Sequence, residues 1–291
     1  MNFRLRRCRA LATTALLLTV CGCVNLDDVA GLSKLADSMR STLPPVTADI
    51  PATCERQNTL IDNIPDAEKG DIRKDDCAAL TALAAHITAD QGVLIDYLDA
   101  LAQLASNKPL SYSKTIDTNV ATISRYTGLS TQATTASTAA QNITKALADF
   151  ATHAYRAREV NKLILSTDPA IQQLTAALRH VITVEYSQIL ANEAIGIDTF
   201  YQGPIIARKD KVERLTLILV QRQYENDKLA LAKRQASARA YGKVMDDLAA
   251  AHARLAAAAA KRASLRQLAQ DLGPVVTSLK DSISHLAAQE K

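Results

Sequence analysis

Cys54 and Cys77 are the two thiols in the body of this chain, and such a pair can form a disulfide, bind a metal or supply a nucleophile. A zinc site would need further Cys or His at ligand spacing, and none lies beside either cysteine. His86, His153, His180, His252 and His285 stand singly on different predicted helices, and no H-E-x-x-H pattern or other metal spacing joins them. Asp75-Asp76 and Asp246-Asp247 are adjacent carboxylates. Neighbours along a helix point in different directions, so neither pair makes an acid/base dyad, and capping and solvation are their expected roles. With nine glycines the chain offers few backbone cradles, and it has no G-x-S-x-G elbow or phosphate-binding glycine loop. No metal and no cofactor are expected.

Ser111-Tyr112-Ser113-Lys114 is similar to the S-x-x-K of penicillin-recognising serine enzymes, but the S-D-N and K-T-G partners are missing, and so is the mixed α/β framework that would assemble them. A solvated Lys114 at a helix start is the expectation there. The chain is therefore read as not an enzyme.

The N-terminus carries the most specific signal. Arg4, Arg6, Arg7 and Arg9 form a positive n-region, and Ala10 to Val20 an apolar run of the length of a secretory h-region. The run is too short for a transmembrane helix, which needs about 20 apolar residues. An A-x-A-like site of a plain secretory signal is absent. Val20-Cys21-Gly22-Cys23 resembles the lipobox of bacterial lipoprotein precursors, in which a small residue precedes a cysteine that is diacylglyceryl-modified and becomes the new N-terminus. Gly22 fits the position before the cut and Cys23 the lipidated one; Cys21 would put bulky Val20 before the cut. The resemblance covers residues 1–23 and implies export, palmitate-type acylation and a membrane anchor. Val24-Asn25 in place of Asp implies, by the same resemblance, sorting to the outer membrane, facing the periplasm. In that oxidising setting Cys54 and Cys77 read as a disulfide, which for a loop of this size stabilises by about 3 kcal/mol.

The formal charge of +4 belongs to the precursor. The thirty-four Lys and Arg less the four signal arginines leave 30 against 30 Asp and Glu in residues 23–291, so attraction to nucleic acid has no support. Charge is segregated all the same: residues 23–100 hold 6 basic against 14 acidic side chains, and residues 206–272 hold 14 against 7. The two regions can pair within the fold. Alternatively the basic side that includes Arg208, Lys211, Arg214 and Arg222 faces an anionic partner.

These features need elements to hold them. Leu43-Pro44-Pro45 and Ile50-Pro51 interrupt any regular helix, so residues 23–52 are expected to be a tether and 53–291 the body. A helix over about 77–106 carries Leu80, Leu83, Ile87, Asp90, Leu94, Tyr97, Leu101 and Leu104 at alternating three-four spacing. A second, about 113–165, carries the alanine-rich seam Tyr126, Leu129, Ala133, Ala136, Ala140, Ile143, Leu147, Phe150, Ala154 and Ala157. A third opens at Asp168-Pro169, an N-cap followed by proline. A fourth, about 207–272, shows its clearest seam from Tyr241 through Val244, Leu248, Ala251 and Leu255, and Gly273-Pro274 stops it before a short final helix. The fold expected is all-α: an elongated, mostly antiparallel bundle of about four long helices with coiled-coil-like, alanine-rich seams. Such seams can close within one chain or between two, which leaves a homo-oligomer open.

Between the third and fourth helices, Ile197 to Ile206 is more apolar than a solvated turn requires. Phe200 and Tyr201 there either fold back onto a neighbour or form a contact tip for a partner or membrane. The functional expectation is a non-enzymatic, lipid-anchored envelope protein that binds or scaffolds a protein partner. Two other readings stand beside it: an immunity or inhibitor lipoprotein against a periplasm-active toxin or hydrolase, and a membrane-active helical protein using the apolar tip.

Overall fold

A computed structural model describes residues 26–64, 74, 76–105, 130–151, 157–202, 213–261 and 265–289. Among the described residues every regular element is helical: α1 (Leu26–Asp62), α2 (Cys77–Ala105), α3 (Thr131–Ala151), α4 (Ala157–His180), a π-helical turn (Val181–Tyr186), α5 (Ser187–Tyr201), α6 (Arg214–Ala260) and α7 (Leu265–Gln289).

The centre of the molecule is α2. Ile87, Asp90, Leu94, Tyr97, Leu101 and Leu104 of its expected seam are buried, while Leu80 and Leu83 are half-buried. His86, Gln91, Val93, Ile95 and Leu98 are buried as well, so the helix is enclosed on most of its circumference. It is the one described helix long and apolar enough to cross a membrane, and its enclosure inside the fold accounts for that composition.

The expected tether is overturned. α1 runs through Pro44, Pro45 and Pro51 without a break and packs along α2. Its buried stripe, Leu32, Leu35, Met39, Leu43, Val46, Ile50 and Cys54, keeps the three-four spacing of a core helix. An interior proline destabilises a helix by about 3 kcal/mol, partly because the carbonyl four residues back loses its donor. For Pro44 and Pro45 those carbonyls belong to Arg40 and Ser41, both exposed, where water can take the donor's place. Burying the stripe outweighs what remains, at about 1.5–3 kcal/mol for each large apolar side chain.

The expected boundary between the second and third helices at Asp168-Pro169 is overturned. α3 is described over Thr131–Ala151, and α4 runs from Ala157 to His180 straight through Asp168-Pro169. Pro169 is exposed, and so is Leu165, whose carbonyl it frees. The seam itself stands where it is described: Ala133, Ala136, Ala140, Ile143, Leu147 and Phe150 are all buried, and α3 packs on α4. Tyr126, Leu129 and Ala154 lie outside the described residues, as do Ser111 and Lys114. α4, the π turn and α5 continue one another, and the extra residue of the π turn carries the buried stripe from Leu174, Leu178 and Ile182 to Tyr186, Leu190 and Ile197.

The fourth helix also ends early. α6 stops at Ala260, where the Lys261 amide turns back to the Ala258 carbonyl at 3.1 Å, and α7 then runs through Gly273-Pro274. Tyr241, Val244, Leu248, Ala251 and Leu255 of the expected seam are buried. Gly242 lets α6 approach the π turn closely: a Cβ there would lie 2.6 Å from Cγ2 of Thr183.

Candidate functional site

The polar chemistry of the described residues gathers in two internal networks. The first joins α1, the π turn, α5 and α6. Glu193 is 1% exposed and receives two arginines on the same oxygen: Arg56 Nε at 2.9 Å and Arg234 Nη2 at 2.7 Å from its Oε1. Arg56 Nη2 also donates to Asp49 Oδ1 at 2.9 Å, and Arg234 Nε lies 3.4 Å from Asp49 Oδ2. The Thr53 hydroxyl at 3.0 Å and a short bond from the Tyr186 hydroxyl complete the shell of that carboxylate. Two guanidinium groups thus face two carboxylates. Burial pushes the Tyr186 hydroxyl far above its ordinary range, and the Asp49 carboxylate adds to the rise, so it stays a donor. Opposite charges on three helices fix their register, because sliding one past another would leave a buried charge alone.

The second network is closer to a catalytic arrangement. His252 Nδ1 lies 2.8 Å from Asp168 Oδ1, and its Nε2 lies 2.7 Å from the Tyr97 hydroxyl, which is 3.0 Å from the Thr167 hydroxyl. Burial lowers the imidazole's pKa against the opposing pull of Asp168, which favours neutral His252. With a carboxylate at Nδ1, that nitrogen carries the proton and Nε2 accepts from Tyr97. A carboxylate, an imidazole and a hydroxyl in series are the parts of an acid/base relay. Here Tyr97 is wholly buried and His252 is 3% exposed, and the cavity beside the imidazole is about 20 Å³, lined otherwise by aliphatic side chains such as Leu35, Leu98 and Leu255. That space is about the size of one water and admits no substrate. The arrangement holds α2, α4 and α6 together.

Asp90 is the anomalous member of the core. It is 1% exposed, its Oδ2 takes the Ser137 hydroxyl at 3.3 Å, and its Oδ1 has no hydrogen-bond partner. Burial pushes its pKa up to about 8 against the Ser137 hydrogen bond, so the carboxyl is largely protonated at neutral pH. Nearby, Gln91 donates to the Tyr241 hydroxyl at 2.9 Å. Asp96 is raised to about 6 by burial, against the attraction of Arg40.

Cys54 and Cys77 form the expected disulfide, with Cα atoms 5.7 Å apart, and it ties the last third of α1 to the first residue of α2. Cys23, Arg208 and Lys211 lie outside the described residues. Arg214 and Arg222 are exposed on the first half of α6. Tyr201 does not stand at an exposed tip. It closes α5, is buried, and its hydroxyl donates to Asp227 Oδ2 of α6 at 2.6 Å. Phe200 is half-buried and meets the Tyr201 ring edge-on at 4.8 Å, and the Tyr224 ring lies tilted against Tyr201 at 5.4 Å. The pair therefore folds back, as one of the two expectations had it.

Sequence reasoning placed none of the networks. Arg234 lies in the late basic region, and it joins Asp49 and Glu193; the pairing of late basic with early acidic residues is the only sequence signal for it. Asp168 was read as a helix cap, and His252 as a histidine standing alone. No known protein family, characterised protein or solved structure matches the chain.

Proposed function

We propose that the protein is a non-enzymatic lipoprotein of the cell envelope, acylated on Cys23 and held in the outer membrane facing the periplasm, where it binds or scaffolds a protein partner. Its body on this reading is an elongated, mostly antiparallel helical bundle with alanine-rich, coiled-coil-like seams. One observation carries the reading: Val20-Cys21-Gly22-Cys23 stands just ahead of Leu26, where α1 begins, and the buried stripe of α1 starts at Leu32. An acyl group on Cys23 would then hold a packed core helix at short range, suited to presenting a rigid body at a fixed height. The Asp49–Glu193 and Asp168–His252 networks join helices to one another, which is in keeping with a structural role. The membrane-active reading draws no support from Phe200 and Tyr201, which face their own fold.

The test is palmitate labelling and membrane fractionation of the wild type and Cys23→Ser, followed by affinity isolation from crosslinked envelopes. Label and membrane retention lost in Cys23→Ser, with an envelope protein captured by the anchored form alone, are expected. An unlabelled wild type overturns the anchor, and capture of nothing above the unanchored control overturns the binding role.

A further inference from the structure

The first half of α6 has two faces with opposite fates. Leu217, Val220, Tyr224, Asp227 and Leu231 turn inward, and Tyr224 and Asp227 bond to α5 through Asp198 and Tyr201. On the opposite side a second stripe repeats every three and four residues and is left uncovered by the described residues: Leu215, Ile218, Arg222, Glu225, Leu229 and Ala232, all exposed. Leu215 is 62% exposed, Ile218 52% and Leu229 60%. Arg222 and Glu225 form no ion pair among the described residues. A single exposed leucine is ordinary, but a heptad-spaced row of them is the seam of a coiled coil without its partner.

The row is palindromic. Its spacing reads three, four, three, four, three from either end, and the pattern of side chains reads apolar, apolar, positive, negative, apolar, apolar. Placed antiparallel on a second copy about a two-fold axis midway between positions 222 and 225, Leu215 meets Ala232 of the other copy, Ile218 meets Leu229, and Arg222 meets Glu225. Each contact then occurs twice, as a two-fold interface requires. The central charges, which would oppose insertion into a lipid surface, are matched in this register.

We propose that the protein self-associates through this stripe of α6, with two chains antiparallel and the reciprocal Arg222–Glu225 pairs at the centre. The stripe is at the opposite end of α6 from Leu255, which shares a cavity with Leu32 and Leu35 near the start of α1. At 1.5 Å per residue, about 55 Å of α6 lies on each side between the axis and Ala260. The two α1 starts therefore point away from each other, and on the anchored reading above, though the association itself does not depend on it, such a pair would link two facing membrane surfaces.

The test is sedimentation equilibrium of the whole mature chain with Cys23→Ser, which keeps it in solution without acyl groups. The wild type is expected to pass from monomer to dimer with concentration. Arg222→Glu and Glu225→Arg each reverse two symmetry-related pairs, at about tenfold a pair, and should weaken association about a hundredfold. Mixing the two single variants, or combining the substitutions in one chain, restores opposite charges in every pair and should recover wild-type association. All of these side chains are exposed, so circular dichroism should not move, nor should thermal midpoints at dilutions where every variant is monomeric. A wild type that stays monomeric at its highest soluble concentration overturns the proposal, as does a mixture no tighter than the single variants. Binding to anionic vesicles by a monomer, lost on Ile218→Asp, would also overturn it and assign the stripe to a lipid surface.

Discussion

Replacing Asp90 by Asn should stabilise the protein, and by an amount that depends on pH. The carboxyl sits between α2 and α3 at 1% exposure, and burial carries it from its ordinary value of 3.8 to about 8. Above about pH 4 the unfolded chain has released this proton, while the folded chain keeps it until about pH 8. Unfolding therefore releases a proton across that window, and wild-type stability falls as pH rises through it, levelling off above the folded pKa. The span corresponds to roughly 6 kcal/mol between the two protonation states. Relaxation around a buried ion reduces what is realised to about 3 kcal/mol. Asparagine has almost the same shape, accepts the same hydrogen bond from Ser137, and never ionises. The expected outcome of urea denaturation is thus little difference between Asp90→Asn and wild type near pH 4.5, and a gain of about 3 kcal/mol for the variant near pH 9. Comparing the two proteins at each pH cancels the titration of every other group. A difference that is flat from pH 4.5 to 9, or one that favours wild type at high pH, refutes the reasoning.

Two other substitutions test the packing and the ion network. Gly242→Ala would bring a methyl 2.6 Å from Thr183 Cγ2, whose side chain is held by its hydroxyl bond to the Arg179 carbonyl, and overpacking of this kind destabilises by about 1–3 kcal/mol. The companion Thr183→Ser deletes the clashing methyl, so thermal unfolding should find the double variant more stable than Gly242→Ala alone. Arg234→Leu removes one of the two arginines on Glu193 and should lower the urea midpoint by the equivalent of about 3 kcal/mol. Adding Glu193→Gln should return part of that loss, because the carboxylate left short of a partner is what makes the single change costly; a strictly additive double variant would count against the network.

How far the sequence could be read depended on whether the controlling interaction was local. The seam of α2, the alanines of α3 and the Tyr241 to Leu255 run of α6 were legible because helical spacing alone determines which side chains share a face. The disulfide was legible because Cys54 and Cys77 are the two cysteines in the body of the chain and no metal-ligand spacing surrounds them. Proline misled in four places, at Pro44-Pro45, Pro51, Pro169 and Pro274. At the first three the local stop signal is overridden by the burial of a stripe that extends on both sides, Met39 to Cys54 around Pro44-Pro45 and Pro51 and Ile164 to Leu174 around Pro169; at Pro274 the buried residues Leu279, Ile283 and Leu286 follow it. At Pro45 and Pro169 the carbonyl deprived of its donor belongs to an exposed residue, which is why a local rule could lose to a tertiary term.

The buried networks were illegible for a different reason. Tyr97, Asp168 and His252 are brought together by three helices far apart in sequence, and nothing near any of them differs from an ordinary seam or cap residue. The same holds for Asp49, Glu193 and Arg234. Only charge segregation along the chain hinted that acidic residues of α1 would meet basic ones of α6, and a count cannot say which. The unpartnered stripe of α6 was hidden in turn by its neighbours. Leu215 and Leu217 to Val220 read as one broad apolar start, and it takes the inward set bonded to α5 to separate the outward set from it. Once that inner face is accounted for, the remaining heptad row has no partner among the described residues, and the Arg222 and Glu225 substitutions test directly whether a second copy supplies one.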